Sequence, residues 1–436
     1  MPGLVVAFSV QPTVKFYLSW YFGPAKDLLA AGALGAAALW VAHDRGPLRR
    51  ADPWLLGAVL LLAGVYVLNP GGGYGTAWVT AARLAVFSFG LFVVGWLNPT
   101  PLRTWGWAAR ALVLLGVAQA LVGLAQQALG ADRLVDDFGL WLGYQVRETH
   151  GGQLRSFGTF SDPFSYAAVL LLAVVAALTV PMRPWQRVTS STLLAVGALV
   201  SFVRTEVLLV GVVAVLWLGW QGYRASAGLL AGSGVAASVL YVLAPADVTS
   251  PTSPLEVVLT LNGRTAFWGE VLRGPWDLLA GRGDGDVGTG LLRSGSSLWR
   301  PDGGGAVAPT GEPAALLFID NSYLSVAADV GLPGLALVCA VLVLSARTLL
   351  AARPLTRPAV CGLGALLVIA VDGLTRSSLT QFPFGFIALL FLGTTLAAAQ
   401  AAQSPGPRQA ADQPTPARAS SESRSASSGT AAGASS

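Results

Sequence analysis

The sequence predicts an all-α polytopic integral membrane protein of about twelve transmembrane helices, eleven if the amino-terminal segment does not span, with a large extracytoplasmic loop before the last three. Three observations predict it. Of the 436 residues, 54% are hydrophobic and 11% charged, where an average soluble domain is roughly a quarter charged, and the mean hydropathy is +0.62. Apolar runs of about 15 to 22 residues recur along the chain, near the length a helix needs to cross a hydrocarbon core of about 30 Å. These runs also lack the period-2 alternation of barrel strands, and a bilayer leaves no water to satisfy an open backbone, so helices are the remaining solution.

Taken in order, residues 4 to 22 are apolar but interrupted by Gln11, Pro12 and Lys15, so they form a short first span or an interfacial segment, and a span is favoured. Clear runs follow at 28–42, 54–69, 77–97 and 105–127, then at 164–181, 188–203, 205–220 and 225–243. A polar stretch, 244–322, separates these from the last three, at 323–349, 358–374 and 382–400. The chain therefore divides into an amino-terminal membrane region (1–243), the large loop (244–322), the last three spans (323–402) and a Ser-, Ala- and Pro-rich tail (403–436). The tail cannot bury enough apolar area to fold and reads as a disordered cytoplasmic extension.

Arginine placement orients these spans, because short cytoplasmic loops carry an excess of basic residues. Arg45, Arg49 and Arg50, then Arg103, Arg183 and Arg187, Arg224, and finally Arg347, Arg353 and Arg357 fall in alternate loops. That side is assigned as cytoplasmic, with both termini on it. The other side then receives Asn69-Pro70-Gly71, the 129–163 loop, the turn at Arg204, the large loop and Arg376.

Composition also excludes several functions. The net charge of +5 is accounted for by these loop arginines and indicates no nucleic-acid partner. Cys339 and Cys361 both lie inside apolar runs, which argues against a disulfide framework or a zinc site. With His43 and His150 the only histidines, His-rich metal sites and His-dependent triads are excluded as well. The amino end lacks a basic region followed by a small-residue cleavage site, so no cleavable signal is expected.

Four places could carry chemistry on a water-soluble group. Arg204 stands between two apolar runs, where it is either a snorkelling anchor or an inward guanidinium whose planar fork holds phosphate oxygens; Glu206 is its nearest pairing option. Arg264 follows Asn262-Gly263 and opens a segment with Phe267 and Val271 on one helix face. With Asn262 as cap, Arg264 sits in a first turn whose free N–H groups add to its attraction for phosphate; otherwise it is a solvated loop arginine. The loop holds nine acidic residues against five arginines, so it is not a generic basic patch. Asp320 precedes the run that begins at Tyr323 and is either a helix cap or a general base. Finally, Gly283, Gly285 and Gly288 match G-x-G-x-x-G without a preceding strand, which removes the dinucleotide reading. Asp284 and Asp286 form a D-x-D pair that a tight glycine turn explains as well as a divalent cation does.

Several of these pieces, in this order, resemble the O-antigen ligase and polymerase superfamily, bacterial membrane proteins that handle glycans on undecaprenyl diphosphate. The similar parts are Arg155-Ser156-Phe157-Gly158-Thr159-Phe160 with Pro163 before a span; Arg204 after Ser201; Gly263-Arg264 with Trp268, then Leu279-Ala280-Gly281-Arg282-Gly283; and Asp320-Asn321-Ser322-Tyr323-Leu324 running into Gly331-Leu332-Pro333-Gly334-Leu335. Each motif is short, but their order and the large loop between the ninth and tenth spans make the likeness specific.

The resemblance implies an inverting glycosyl transfer that needs no metal or cofactor, from an undecaprenyl-diphosphate-linked glycan, at the extracytoplasmic face of the bacterial inner membrane. Arg204 and Arg264 would clamp the donor diphosphate and Asp320 would orient or deprotonate the acceptor hydroxyl, with Asn321, Tyr323, Arg155 and Arg282 as supporting substrate contacts. Membrane lipid and other envelope polysaccharide-assembly proteins are the expected partners. The family's ligases usually carry His where this chain has Asp320, which favours the polymerase version. Two rivals belong to other classes: a flippase for the same lipid-linked sugars, hinted at by a possible break at Pro333, and a non-catalytic assembly subunit.

Overall fold

A computed structural model describes residues 2–17, 24–69, 74–140, 146–149, 152–224, 226–228, 231, 274–283 and 321–403. The described residues form a helical bundle. Its helices are α1 (Pro2–Tyr17), α2 (Ala25–His43), α3 (Gly46–Arg50), α4 (Pro53–Leu68), α5 (Thr76–Trp96), α6 (Pro101–Asp136), α7 (Pro163–Thr179), α8 (Pro184–Leu199) and α9 (Arg204–Trp220). Within the large loop lies α10 (Pro275–Ala280), and after the loop come α11 (Ser322–Leu350), α12 (Arg357–Thr375) and α13 (Phe384–Gln403). The strands among them, β1 (Arg147–Glu148) and β2 (Leu154–Arg155), make a short antiparallel hairpin that pairs Arg147 with Arg155 and Glu148 with Leu154.

Helix bounds follow the expected apolar runs closely, because proline and cap residues punctuate them. Asp52, Asp162 and Thr356 each cap a helix that opens with Pro53, Pro163 or Arg357-Pro358; in each case the side chain accepts a hydrogen bond from a first-turn N–H. Among the described residues, six helices are long and apolar enough to cross a membrane: α2, α5, α6, α11, α12 and α13. Shorter apolar helices are Pro2–Gln11, α4 and α7. The chain is thus an all-α multi-pass membrane protein. The expected span at 225–243 lies outside the described residues, apart from 226–228 and 231.

Burial sorts these helices. In α13, 89% of the apolar window is enclosed by protein, against 11% in α2, so α13 runs through the centre and α2 along the lipid-facing rim. A helix that is apolar on every side is a buried one, and α7, an Ala-, Leu- and Val-rich segment, is enclosed nearly throughout. Contact between α5 and α13 is at backbone distance: a Cβ at Gly95 would overlap the Leu390 carbonyl and come within 2.8 Å of Thr394 N. Helices within a bilayer gain little from hiding apolar surface from lipid, so this closeness, set by small residues, supplies the packing energy.

Two helices are broken at a glycine, α6 at Gly130 (φ 80°, ψ 167°) and α11 at Gly331. Inside α11, Gly331 adopts φ 72° and ψ −173°, and the chain resumes at Leu332-Pro333. The break receives the end of α10, where Gly281 also has a positive φ of 77°. A Cβ on Gly281 would stand 2.7 Å from both Asp329 O and Gly331 N, while one on Gly331 would overlap Leu279 O. Asn69, at the end of α4, closes the joint by donating from Nδ2 to Ala280 O (3.0 Å) and Asp329 O (2.9 Å), and Arg282 N donates to Ala328 O (2.6 Å).

Because Gly331 is both left-handed and in backbone contact, Gly331→Ala should cost about 2–3 kcal/mol. Gly106, in α6 with open space around it, should instead accept alanine at no cost or a gain of up to about 1 kcal/mol. Thermal unfolding of the two purified variants in detergent checks the contrast.

Candidate functional site

The ends of α7, α9, α11 and α12 converge, and the hairpin lies over them. Its carboxyl arm, Arg155 to Phe160, is irregular backbone inside a membrane bundle, where every polar backbone group needs a protein partner. Three glutamines of α6 supply them. Gln126 Oε1 accepts from Phe157 N (3.0 Å) and Gly158 N (2.9 Å) while its Nε2 donates to Gly158 O (2.8 Å). Gln119 accepts from Thr159 N (2.8 Å) and donates to Thr159 Oγ1 (2.7 Å). Gln127 Nε2 donates to Leu154 O (2.6 Å) and Ser156 Oγ (2.9 Å), and Ser156 Oγ donates in turn to Gly123 O (2.7 Å).

This scaffold aims Arg155. Its guanidinium lies over the Phe164 ring, 5.5 Å from the centroid, and donates to Phe202 O at 3.2 Å. Phe202 is the turn between α8 and α9 and holds the left-handed φ of 52°, uncommon for a side chain of its size. Ser201 Oγ steadies the same turn, donating to Ala198 O and accepting from Val203 N. Arg204 begins α9 directly afterwards, exposed and without an ion pair among the described residues. Arg147 shares the Phe164 face at 5.9 Å. Burial, then the neighbouring Arg147 and Arg204, push the pKa of Arg155 down, and Glu206 pulls the other way. Three guanidiniums thus crowd one rim.

Below them is an acidic floor. Glu206 turns inward instead of pairing with Arg204: it is fully buried, as is Asp372 of α12. Asp372 Oδ1 accepts from Arg376 Nε at 2.6 Å, one turn on. Arg376 Nη1 reaches Ser165 Oγ (3.4 Å) and Asp162 Oδ1 (4.0 Å), and its guanidinium stacks 4.8 Å from the Phe384 centroid. Asp162 at the same time caps α7, accepting from Ser165 N at 2.7 Å.

The last expected motif docks on this corner. Asn321 is the N-cap of α11: Oδ1 accepts from Leu324 N (2.9 Å) and Nδ2 donates to Leu374 O (3.1 Å). Ser322 Oγ donates to Arg376 O (2.8 Å) and accepts from Ser378 N (2.7 Å), and Tyr323 OH donates to Ala370 O (2.9 Å). The cap role weighed for Asp320 therefore belongs to Asn321. Arg264 and Asp320 lie outside the described residues, as do Asp284 and Asp286. Of the other expected site residues, Arg155 and Arg204 come together, Asn321 and Tyr323 join them through Arg376 and Ser165, and half-buried Arg282 sits at the Gly331 break. Sequence reasoning missed Asp372, Arg376, Asp162 and the glutamines. The available signal was a charge inside an apolar run, Asp372, one turn before Arg376.

Among the described residues no group of three or more His, Cys, Asp or Glu side chains is arranged to hold a metal. No protein-family model matches the chain, and comparison with curated proteins gives no match.

Two stability measurements follow. Gln126→Leu strips partners from two buried N–H groups and one carbonyl, and should lower unfolding free energy by at least about 3 kcal/mol. Arg376→Met, which strands the Asp372 carboxylate, should cost about 3–5 kcal/mol, and adding Asp372→Leu should restore most of it. Denaturant titration of the reconstituted variants reads both.

Proposed function

We propose that the chain is a membrane glycosyltransferase of the O-antigen ligase and polymerase type, joining undecaprenyl-diphosphate-linked oligosaccharides at the extracytoplasmic face of a bacterial plasma membrane. The observation that carries this reading is the continuity of its motifs: Arg155 touches Phe164, its neighbour Ser165 meets Arg376, and Arg376 receives Ser322 of the last motif. Segments more than a hundred residues apart thus share one corner.

The chemistry suits that corner. Transfer breaks the bond between the donor's anomeric carbon and its diphosphate, while an acceptor hydroxyl attacks from the opposite face and loses its proton. Negative charge grows on the departing diphosphate, and preorganised guanidiniums stabilise what develops there. Arg204 and Arg264 take that role, with Arg155 and Arg282 as supporting contacts. Asp320 accepts the hydroxyl proton. Asn321 and Tyr323 fix the start of α11. Aspartate in place of the histidine usual in the ligases favours polymerisation over transfer to a lipid or other surface acceptor.

A flippase for the same lipids is the second reading, favoured by the break at Gly331, since discontinuous helices are common in transporters. Asp320→Asn separates the two. In the enzyme it should cut turnover roughly 10²–10⁴-fold while leaving donor binding intact; a flippase should keep its rate. The decisive assay is mass spectrometry of carrier lipid from a strain lacking the gene. Single repeat units on undecaprenyl diphosphate mark a polymerase, and long chains stranded there mark a ligase. An unchanged carrier pool would sink both enzyme readings.

A further inference from the structure

The carboxyls beneath the arginine rim carry more charge than the protein around them neutralises. Glu206, in the first turn of α9, and Asp372, in the last turn of α12, are each 0% exposed. No other residue donates a hydrogen bond to either oxygen of Glu206 or to Oδ2 of Asp372; the one donor near the Glu206 carboxyl is its own backbone N–H. The two side chains stand within hydrogen-bond reach of one another, an arrangement that needs a cation between them, because carboxylates bring only acceptors.

The neighbours can be counted element by element. From α12, Arg376 binds Asp372 Oδ1 and no other oxygen of the pair. From α7, Asp162 and Ser165 engage that same guanidinium. From the hairpin, Arg155 feels Glu206 but spends a donor on Phe202 O. From α9, Arg204 is exposed. From α11, the Tyr323 hydroxyl donates to Ala370 O, and α13 offers the Phe384 ring to Arg376. Two buried carboxylates share one buried guanidinium, and half-buried Arg155, the other cation near Glu206, does not bond it, so the pair is under-compensated in an interior that penalises unpaired charge.

We propose that Glu206 and Asp372 form a binding site for one monovalent cation, a proton or a sodium ion, which ties the start of α9 to the end of α12. A divalent ion is the wrong guest: calcium takes six or more oxygens and magnesium demands an octahedral shell, and this site offers three free carboxyl oxygens from two residues. The cation sits directly under the rim that carries Arg155 and Arg204. Its departure would set two like charges against each other across the α9–α12 contact and push that contact apart, so occupancy governs whether the floor of the corner is closed.

The test uses the full chain in lipid nanodiscs and two physical readouts. Infrared difference spectra at neutral pH, in H2O and D2O, seek the carbonyl stretch of a protonated carboxylic acid. Thermal unfolding compares sodium chloride with N-methylglucamine chloride at equal ionic strength. A protonated-carboxyl band that disappears in both Glu206→Gln and Asp372→Asn establishes the proton. A saturable rise in unfolding temperature with sodium, lost in the same two variants, establishes sodium. Wild-type protein with neither signal overturns the site, as does a signal that persists in both variants. Neither readout depends on glycosyl transfer, so this proposal and the proposed function stand or fall separately.

Discussion

Arg376 is the charge around which one end of the bundle is organised. A guanidinium enclosed by apolar helices must be paired and hydrogen-bonded, because leaving it unpaired costs far more than any packing gain recovers. Asp372, one turn earlier on the same helix, meets that demand at Nε; Asp162 and Ser165, from α7, meet it at Nη1. Two consequences follow for the fold. The Asp162 carboxylate must lie at the depth of Arg376, which fixes where α7 starts. The end of α12 is held open, so that the carbonyls of Leu374 in its last turn and of Arg376 just after it receive Asn321 and Ser322 and set the start of α11. Three helix ends, of α7, α11 and α12, are registered at this one residue.

The second constraint is the absence of bulk water. Where the chain leaves helical geometry inside the bundle, side-chain amides stand in for the missing peptide partners. Gln126 offers a carbonyl to two N–H groups and an amide hydrogen to a carbonyl; Asn69 does the complementary job at the α10–α11 joint, giving both amide hydrogens to carbonyls. A carboxamide carries the same donor and acceptor as a peptide group and no net charge, so it satisfies irregular backbone without the desolvation cost of an ion. That explains why α6, otherwise a membrane helix, tolerates Gln119, Gln126 and Gln127 on neighbouring turns.

These facts also explain what the sequence reveals and what it hides. Helix positions were legible, because apolar length and the Asp-Pro and Thr-Arg-Pro starts are local signals. The start of α11 was legible to within a residue, and only the cap moved, from Asp320 to Asn321, since both residue types cap helices equally well. Arg155 and Arg204 were legible as neighbours only through the resemblance. Partnerships were hidden wherever they join distant segments. Glu206 looked like the partner of Arg204, two positions away, but residues two apart on a helix do not face each other, and its true neighbour, Asp372, comes from a helix far along the chain. The glutamines were passed over because an amide in an apolar run has no visible partner until the loop it holds is in place.

Charge is layered at this corner, and the layering has a direction. Arg147, Arg155 and Arg204 crowd the rim, where Phe164 offers its ring face to the first two. The carboxylates lie deeper, on α7, α9 and α12. Opposite charges this close would collapse into ion pairs if the side chains could reach one another; Phe164 and the strained carbonyl of Phe202 occupy Arg155 before it can descend, and Arg376 already claims Asp372. An anion approaching from outside is attracted by the rim and finds no net positive charge beneath it, so its stable depth is the level of the arginines. A groove with positive charge throughout would attract an anion more strongly but would not fix its depth. Under the proposed transfer, a fixed depth would hold the departing diphosphate in line with the attacking hydroxyl, and the lack of positive charge beneath the rim is what would fix it.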